Sequence, residues 1–362
     1  MIGTRWSHPP LHDAMPAISL PTGTTIETVS GVGYGSAHHG ELLQGIFRDS
    51  GGALVRALVT IPLPHLRTRA VFTRCRQPAI TGAAQPKAHR AAALTLSYLA
   101  SDRGAMSDLG GLDVAQGGRV EIFTNIPQSV GMGSSTADVT ATIRAVAACH
   151  GVRLSADQVA CLAVMAEYAA DSTMIEDRVV LFAYRGGEVL ETLGDRLPPI
   201  TIVGCRTQSE STVDTLAFEP AVYNEYEIAL FKRLRRAARR AVAVGDTRLL
   251  GQVASASARI NQRFLPKPEL EPLLRLCIRH GGCGIQVAHS GTILGLIFDA
   301  RRPDAETAAR ACSEAVAALG IVTTGVFHAG VFHAGTEEGQ SLDRRLARAL
   351  TPCAPRSRAC EP

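Results

Sequence analysis

The segment Pro127-Gln-Ser-Val-Gly-Met-Gly-Ser-Ser-Thr-Ala-Asp138 constrains this chain more than any other. Ahead of it, Arg119–Asn125 alternates apolar and polar residues with the period of a half-buried strand. Behind it, Ser135–His150 has helical spacing. A strand, a glycine–serine loop and a helix in that order demand mixed α and β structure. Gly131 and Gly133 permit positive φ and close approach of the backbone to a ligand. Ser134 and Ser135 then open the helix, where unpaired N–H groups and the helix dipole favour phosphate. The Ser135 hydroxyl is also of the type that ligates Mg²⁺ held by phosphates. The same residues can equally be read as a glycine turn with a serine N-cap. The loop is not a Walker A loop, since no Gly-Lys-[Ser/Thr] follows, nor a dinucleotide fingerprint, since the third glycine is missing.

Around this loop the first half reads as short strands and helices. Residues 1–28 have no period and look like a loose leader. A glycine-dense stretch spans Gly31–Gly45, and short strands broken by Pro62 and Pro64 are expected between Ala53 and Phe72. Helices are expected over 88–99 and 155–170, and a hairpin over 179–191 across Arg185-Gly186-Gly187. The second half has strands at 201–205, 284–288, 292–298 and 321–326. Its helices are expected at 223–244, 246–260 and 303–319, with another opened by Pro268 in the N1 position. Helices covering one face of a small sheet make an α+β layout. The domain boundary is placed near residue 195, giving units of 29–195 and 196–336 and a tail of 337–362.

Composition narrows the function classes. The chain has 362 residues, 46% hydrophobic and 19% charged, which fits folded domains rather than disorder. No apolar run approaches the ~20 residues of a membrane span. Nine cysteines include no Cys-x-x-Cys pair, which disfavours a disulfide framework or zinc ribbon and suits a cytoplasmic protein. The net charge of +4 is spread along the chain, and the basic run Lys232–Arg240 has no interleaved aromatics, so no nucleic-acid or membrane partner is expected. His328 and His333, five residues apart, point to opposite faces of a strand and make a poor metal pair.

Pro127 with Gly131-Met-Gly-Ser-Ser-Thr-Ala137 resembles the second motif of the GHMP small-molecule kinases, which include galactokinase, homoserine kinase and mevalonate kinase. Within that superfamily the chain is most similar to the L-threonine kinase branch that serves cobalamin synthesis. Gly40-Glu-Leu-Leu-Gln-Gly45, Gly131–Asp138, Asp171-Ser-Thr-Met174 with Leu181-Phe182, and Leu265-Pro-Lys-Pro268 with Val287-Ala-His-Ser-Gly291 carry the closer likeness. The resemblance implies a ribosomal protein S5 domain 2-like N-terminal domain and a ferredoxin-like C-terminal domain. It also implies ATP and Mg²⁺ as cofactors and a hydroxylated amino acid, L-threonine first, as substrate. A monomer or homodimer is expected.

Pro127, Gly131, Met132, Gly133, Ser134, Ser135 and Thr136 are the expected nucleotide-binding residues, with Ser135 and Glu167 holding the metal. Glu167 lies near the end of the helix after Ser135's, and one or two protein ligands plus phosphates suit Mg²⁺; a solvated helix glutamate is the plain alternative. Asp171 could take the acceptor's proton, position its ammonium, bind metal, or merely cap a turn. Glu41, Gln44, His289, Ser290 and Gly291 are expected on the substrate side. Lys267, one of three lysines among 37 basic residues, is read as an anion contact or an exposed linker lysine. The chain departs from the branch at His39, where a cysteine is usual, at Tyr168-Ala-Ala170 after Glu167, and at Ala183. These departures touch the acceptor side and leave open another hydroxylated amino acid or specialised metabolite as substrate. A non-catalytic sensor of the same fold that binds nucleotide or metabolite is a further alternative, against which the complete Ser135 and Glu167 pair speaks.

Overall fold

A computed structural model describes residues 29–75, 79–82, 84–104, 117–127, 131–207, 221–288 and 292–330. The first half runs β1 (Ser30–Arg48), β2 (Leu54–Cys75), β3 (Ile80–Thr81), α1 (Pro86–Gly104), β4 (Gly117–Thr124), α2 (Ser134–Cys149) and α3 (Ala156–Glu167). A 3₁₀ turn (Ser172–Met174) leads into the hairpin β5 (Val179–Ala183) and β6 (Glu188–Gly194). The second half runs β7 (Ile200–Arg206), α4 (Glu225–Val244), α5 (Thr247–Asn261), α6 (Leu270–Arg279), β8 (Gly284–Val287), β9 (Ile293–Asp299), α7 (Ala305–Ala318) and β10 (Val322–Ala329). The expected boundary near residue 195 falls in the connection between β6 and β7.

The strands form one mixed sheet in the order β10-β7-β9-β8-β1-β2-β4-β3, with β5 on β2 and β6 on β5. A single pairing, Glu41 with Val287, joins β1 of the first half to β8 of the second. The seam between the halves therefore runs through the Gly40–Gly45 motif.

The glycine-dense stretch lies within the strand β1. A Cβ at Gly31, Gly33 or Gly35 would overlap the α2 backbone at Ala145 and Cys149, at Ala141 and Ala145, or at Ala137. The alternate glycines of β1 thus let α2 lie directly on the strand, which fixes where the start of that helix, and the loop before it, must sit. β2 likewise continues through Pro62 and Pro64 as one strand of 22 residues. Its pairing with β1 shifts between Ser36 and Ala37 and again between His38 and Glu41. Prolines are tolerated at such bulges because no ladder hydrogen bond is lost there.

Several helix ends also differ from expectation, α1 running over Pro86–Gly104 rather than 88–99. Helix α3 stops at Glu167 because Tyr168 adopts a left-handed φ of 66°, not at Ala170. Its start does follow sequence, Ser155 and Gln158 forming a reciprocal capping box. Helix α6 begins at Leu270 with Glu269 as N-cap. Pro268 lies outside the helix, and Pro272 occupies its first turn, where no N–H partner is required. The leader, residues 331–336 and the tail lie outside the described residues, as does His333. His328 shares a 3.2 Å contact between its Nδ1 and Thr201 Oγ1 on the neighbouring strand.

Candidate active site

Helix α2 begins without a side-chain cap. Its N-cap is Gly133, left-handed at φ 73°, and no cap hydrogen bond to a side chain forms there. The serine-capped turn is therefore not what the sequence builds. Ser134 and Ser135 are the first helical residues, so their N–H groups are among those that an α-helix cannot satisfy internally. Gly131 is also left-handed, at φ 87°. Pro127 is exposed at the loop's start, whereas the Met132 side chain is buried in the main hydrophobic cluster, so only its backbone faces the loop.

Glu167, at the last turn of α3, is brought to the same helix start. The Ser135 hydroxyl donates to Glu167 Oε2 at 2.9 Å and the Thr136 hydroxyl to Oε1 at 2.6 Å. Thr136 thus serves Glu167 rather than pointing outward. Lys87 Nζ, from the first turn of α1, stands 3.7 Å from Oε2. Glu167 is only 3% exposed, so it is not the solvated glutamate of the plain reading. Burial pushes its carboxyl up to about 7, against the pull of Thr136, Lys87 and Ser135, and the Asp171 charge pushes it further up. A hydroxyl oxygen and a carboxylate at an uncapped helix start are hard oxygen donors of the kind Mg²⁺ takes alongside phosphates. The donor set fits that ion, and Ser135 and Glu167 are the residues that could hold it.

Asp171 sits just before the 3₁₀ turn and is buried. Its Oδ2 lies 2.9 Å from His38 Nε2. His38 Nδ1 accepts the Gly40 N–H at 3.0 Å and lies 3.8 Å from Glu41 Oε1. The shift in pairing between His38 and Glu41, with Gly40 at φ 68°, brings both side chains into this cluster. His38, Glu41 and Asp171 are all buried.

Glu41 and Gln44 also line a solvent-open cleft together with Arg56, Tyr184, Tyr223 and Phe264. Ala169, between Glu167 and Asp171, borders the same cleft. Gln44 is fixed through its backbone: its N–H donates to Ser257 Oγ at 2.9 Å, and its carbonyl accepts from Asn261 Nδ2 at 2.9 Å. Tyr223 donates to Asn261 Oδ1 at 2.7 Å, and burial raises its phenol well above the ordinary value. Lys267 is buried rather than an exposed linker lysine, and burial lowers its amine from the usual range. His289, Ser290 and Gly291 lie outside the described residues.

His39 lies away from the cleft. It is fully buried against Phe327 with ring centroids 5.0 Å apart, and its Nδ1 meets Gln286 Nε2 at 2.6 Å. Desolvation drops its pKa to about 3, so it is neutral. The close approach of the ring to Gly204 and Gly295 leaves no room for a Cβ at either. A larger residue than cysteine is thus absorbed by the core. The Tyr168 ring stacks under the Arg90 guanidinium at 4.3 Å, and Ala183 pairs with Glu188 across the β5–β6 hairpin.

Sequence reasoning misses His38 and Lys87. His38 carries no local pattern, and its partner Asp171 arrives only through the fold. Lys87 offers a weak signal as one of three lysines, placed in a helix's first turn.

The family models of the GHMP kinases match in two places, the N-terminal domain over residues 91–184 and the C-terminal domain over 234–318. The chain is a GHMP kinase family member. The first match contains the loop, Glu167 and Asp171. This GHMP family chain is 30% identical over 189 residues to an L-threonine kinase of Salmonella typhimurium, covering 51% of this chain and 61% of that protein. It is 31% identical over 204 residues to an L-threonine kinase of Citrobacter freundii, covering 52% and 65%. The match thus spans less than two thirds of either curated relative. A homoserine kinase from Cytophaga hutchinsonii shares the fold, with a TM-score of 0.61 at 13% identity over 86% of this chain and 98% of the other. The architecture is accordingly the α+β, two-domain GHMP kinase fold. Among the described residues no helix is long and apolar enough to cross a membrane.

Proposed function

We propose that this GHMP family chain is an ATP- and Mg²⁺-dependent kinase that phosphorylates the hydroxyl of a small amino-acid-like acceptor, L-threonine to O-phospho-L-threonine first among them. The observation that carries the reading is the pair Ser135 Oγ and Glu167 Oε2, 2.9 Å apart at the uncapped start of α2. The relatives named L-threonine kinase supply the acceptor.

In this reading the backbone N–H groups that open α2 bind phosphate oxygens, as helix N-termini do. Ser135 and Glu167 hold the metal, and Lys87 adds positive charge beside Glu167. Mg²⁺, when bound, supplies charge neutralisation on the phosphates. Asp171, beside Glu41 and the cleft, orients the acceptor's hydroxyl or ammonium. The acceptor oxygen forms a bond to the terminal phosphorus as the bond to the leaving nucleoside diphosphate breaks, and the hydroxyl proton leaves to solvent. Positioning and charge stabilisation carry most of the acceleration in such transfers.

The cleft favours a second acceptor class. Tyr184, Tyr223 and Phe264 line it alongside Glu41 and Gln44 and give it an aromatic wall that threonine, with one methyl and one hydroxyl, does not need. A larger hydroxylated amino acid or a specialised metabolite would use that aromatic wall. An ADP-release assay across threonine, serine, homoserine and bulkier amino alcohols tests both. Turnover with threonine alone supports the first class, and a preference for bulky acceptors the second. ADP release that no acceptor raises above background would refute the kinase reading and leave a nucleotide-binding sensor.

A further inference from the structure

We infer that His38 is a positioning residue that ties the acceptor-side carboxylate of Asp171 to the phosphate loop. The kinetic part of this inference rests on the proposed function; the structural part does not. His38 is 1% exposed and is held on three sides. Its backbone N–H donates to the Met132 carbonyl at 3.1 Å, inside the loop. Its ring lies against Gly133 so closely that a Cβ there would overlap Cδ2 and Nε2. Its Nδ1 accepts the Gly40 N–H at 3.0 Å.

That last bond fixes the tautomer. A nitrogen that accepts an N–H carries no proton, so a neutral imidazole must hold its proton on Nε2. Nε2 is the atom 2.9 Å from Asp171 Oδ2. The ring therefore donates its one N–H to the carboxylate while its other edge rests on backbone that is itself part of the Gly40 motif. Asp171 is thus met from the loop side at its Oδ2. Gly133, Gly40 and His38 form one unit: the glycine at 133 makes room for the ring, and the left-handed glycine at 40 aims an N–H at it. A phosphate loop and an acceptor carboxylate registered on a single imidazole stay at a constant separation, which in-line transfer requires.

The test uses the full chain and the variants His38→Ala and His38→Gln. A glutamine can accept the Gly40 N–H at Oε1 and donate to Asp171 from Nε2. His38→Ala should lower kcat/KM for the acceptor by ~100-fold, the scale of a misplaced positioning group, while the KM for ATP stays within about threefold. His38→Gln should recover at least ~10-fold of that loss, since it restores the donor. In the double variant with Asp171→Asn, the losses should not add, because both act through one contact. Equal defects in Ala and Gln variants, a loss carried by ATP KM, or additive losses would overturn the inference.

Should His38→Ala fail to fold, the glutamine variant and spectroscopy carry the test. ¹⁵N-histidine spectra of the metal-free wild type should show the His38 signal, identified by its loss in His38→Gln, as the Nε2–H tautomer. Asp171→Asn should move that Nε2 resonance and leave His39 in place. An Nδ1–H tautomer, or an unmoved resonance, would overturn the inference. A wild type that phosphorylates no acceptor would refute the proposed function, and the spectrum would still decide whether His38 holds Asp171.

Discussion

Replacing Glu167 by glutamine should make the metal-free protein more stable at alkaline pH and less active at any pH. Glu167 is 3% exposed, and its carboxyl is raised from an ordinary 4.5 to about 7, mainly by burial. Between those two values the folded chain binds a proton that the unfolded chain has released. Stability contributed by the protonated form is complete below about 4.5, declines as pH rises, and is lost above about 7. At about 1.4 kcal/mol per pH unit, the shift amounts to roughly 3 kcal/mol of destabilisation at pH 8. Glutamine is neutral at every pH and removes that penalty. Its amide still serves both hydroxyls, since one of Ser135 and Thr136 can rotate to accept. Urea unfolding in EDTA should then show wild type and variant alike near pH 4.5 and the variant more stable at pH 8 by up to about 3 kcal/mol. The difference between the two curves isolates Glu167 from every other titrating group. Adding Mg²⁺ and ATP should reverse the ranking at pH 8, because only the carboxylate gains the ion, and turnover of the variant should fall by at least ~100-fold. A difference curve that is flat from pH 5 to 8 would refute the argument that burial raises this carboxyl. A variant stabilised by Mg²⁺ and ATP as strongly as wild type would remove Glu167 from the metal site.

Three further outcomes follow from the same geometry. Gly133→Val places a branched side chain on the His38 ring at a left-handed φ, so ATP affinity measured by calorimetry should collapse while the circular dichroism of the fold persists; unchanged affinity would contradict the loop assignment. Asp171→Asn should mainly raise the acceptor KM, by ~10-fold or more for a lost charge-assisted hydrogen bond of ~1.5–3 kcal/mol, whereas a fall in kcat alone would identify Asp171 as a general base. Gly33→Ala should lower the melting temperature by several degrees, since its methyl must displace the α2 backbone at ~1–3 kcal/mol; an unchanged melting temperature would mean that β1 and α2 do not pack as described.

The parts of the site written in contiguous sequence were legible. The Gly131–Ser135 loop, the strand before it and the helix after it follow from local chemistry, as does a helix starting at Ser155. Glu167 was singled out by the GHMP kinase resemblance, and the fold brings it to Ser135. What escaped reading depends on contacts across the sheet. The β1 glycines repeat at every second position, a strand period, yet their purpose appears only once α2 lies on them. Pro62 and Pro64 signal a break in an isolated strand, but the bulges of the β1–β2 pair accommodate them. His38 lies beside the motif that begins at Gly40, and its role depends on Asp171 and Gly133, which come to it from distant stretches of the chain. His39 looked like a change in the substrate pocket and is a core residue instead, because Gly204 and Gly295 vacate the space it fills.

The central claim is that the Ser135–Glu167 pair supports phosphoryl transfer to a hydroxyl. ³¹P NMR of the wild type with Mg²⁺, ATP and an acceptor found by the ADP-release assay tests it most directly. A phosphomonoester resonance should grow in step with ADP, and it should fall by at least ~100-fold in rate in both Ser135→Ala and Glu167→Gln, whose spectra should otherwise report a folded protein. A phosphomonoester formed by both variants at the wild-type rate would contradict the claim, as would ADP released by the wild type with inorganic phosphate as its only phosphorus partner.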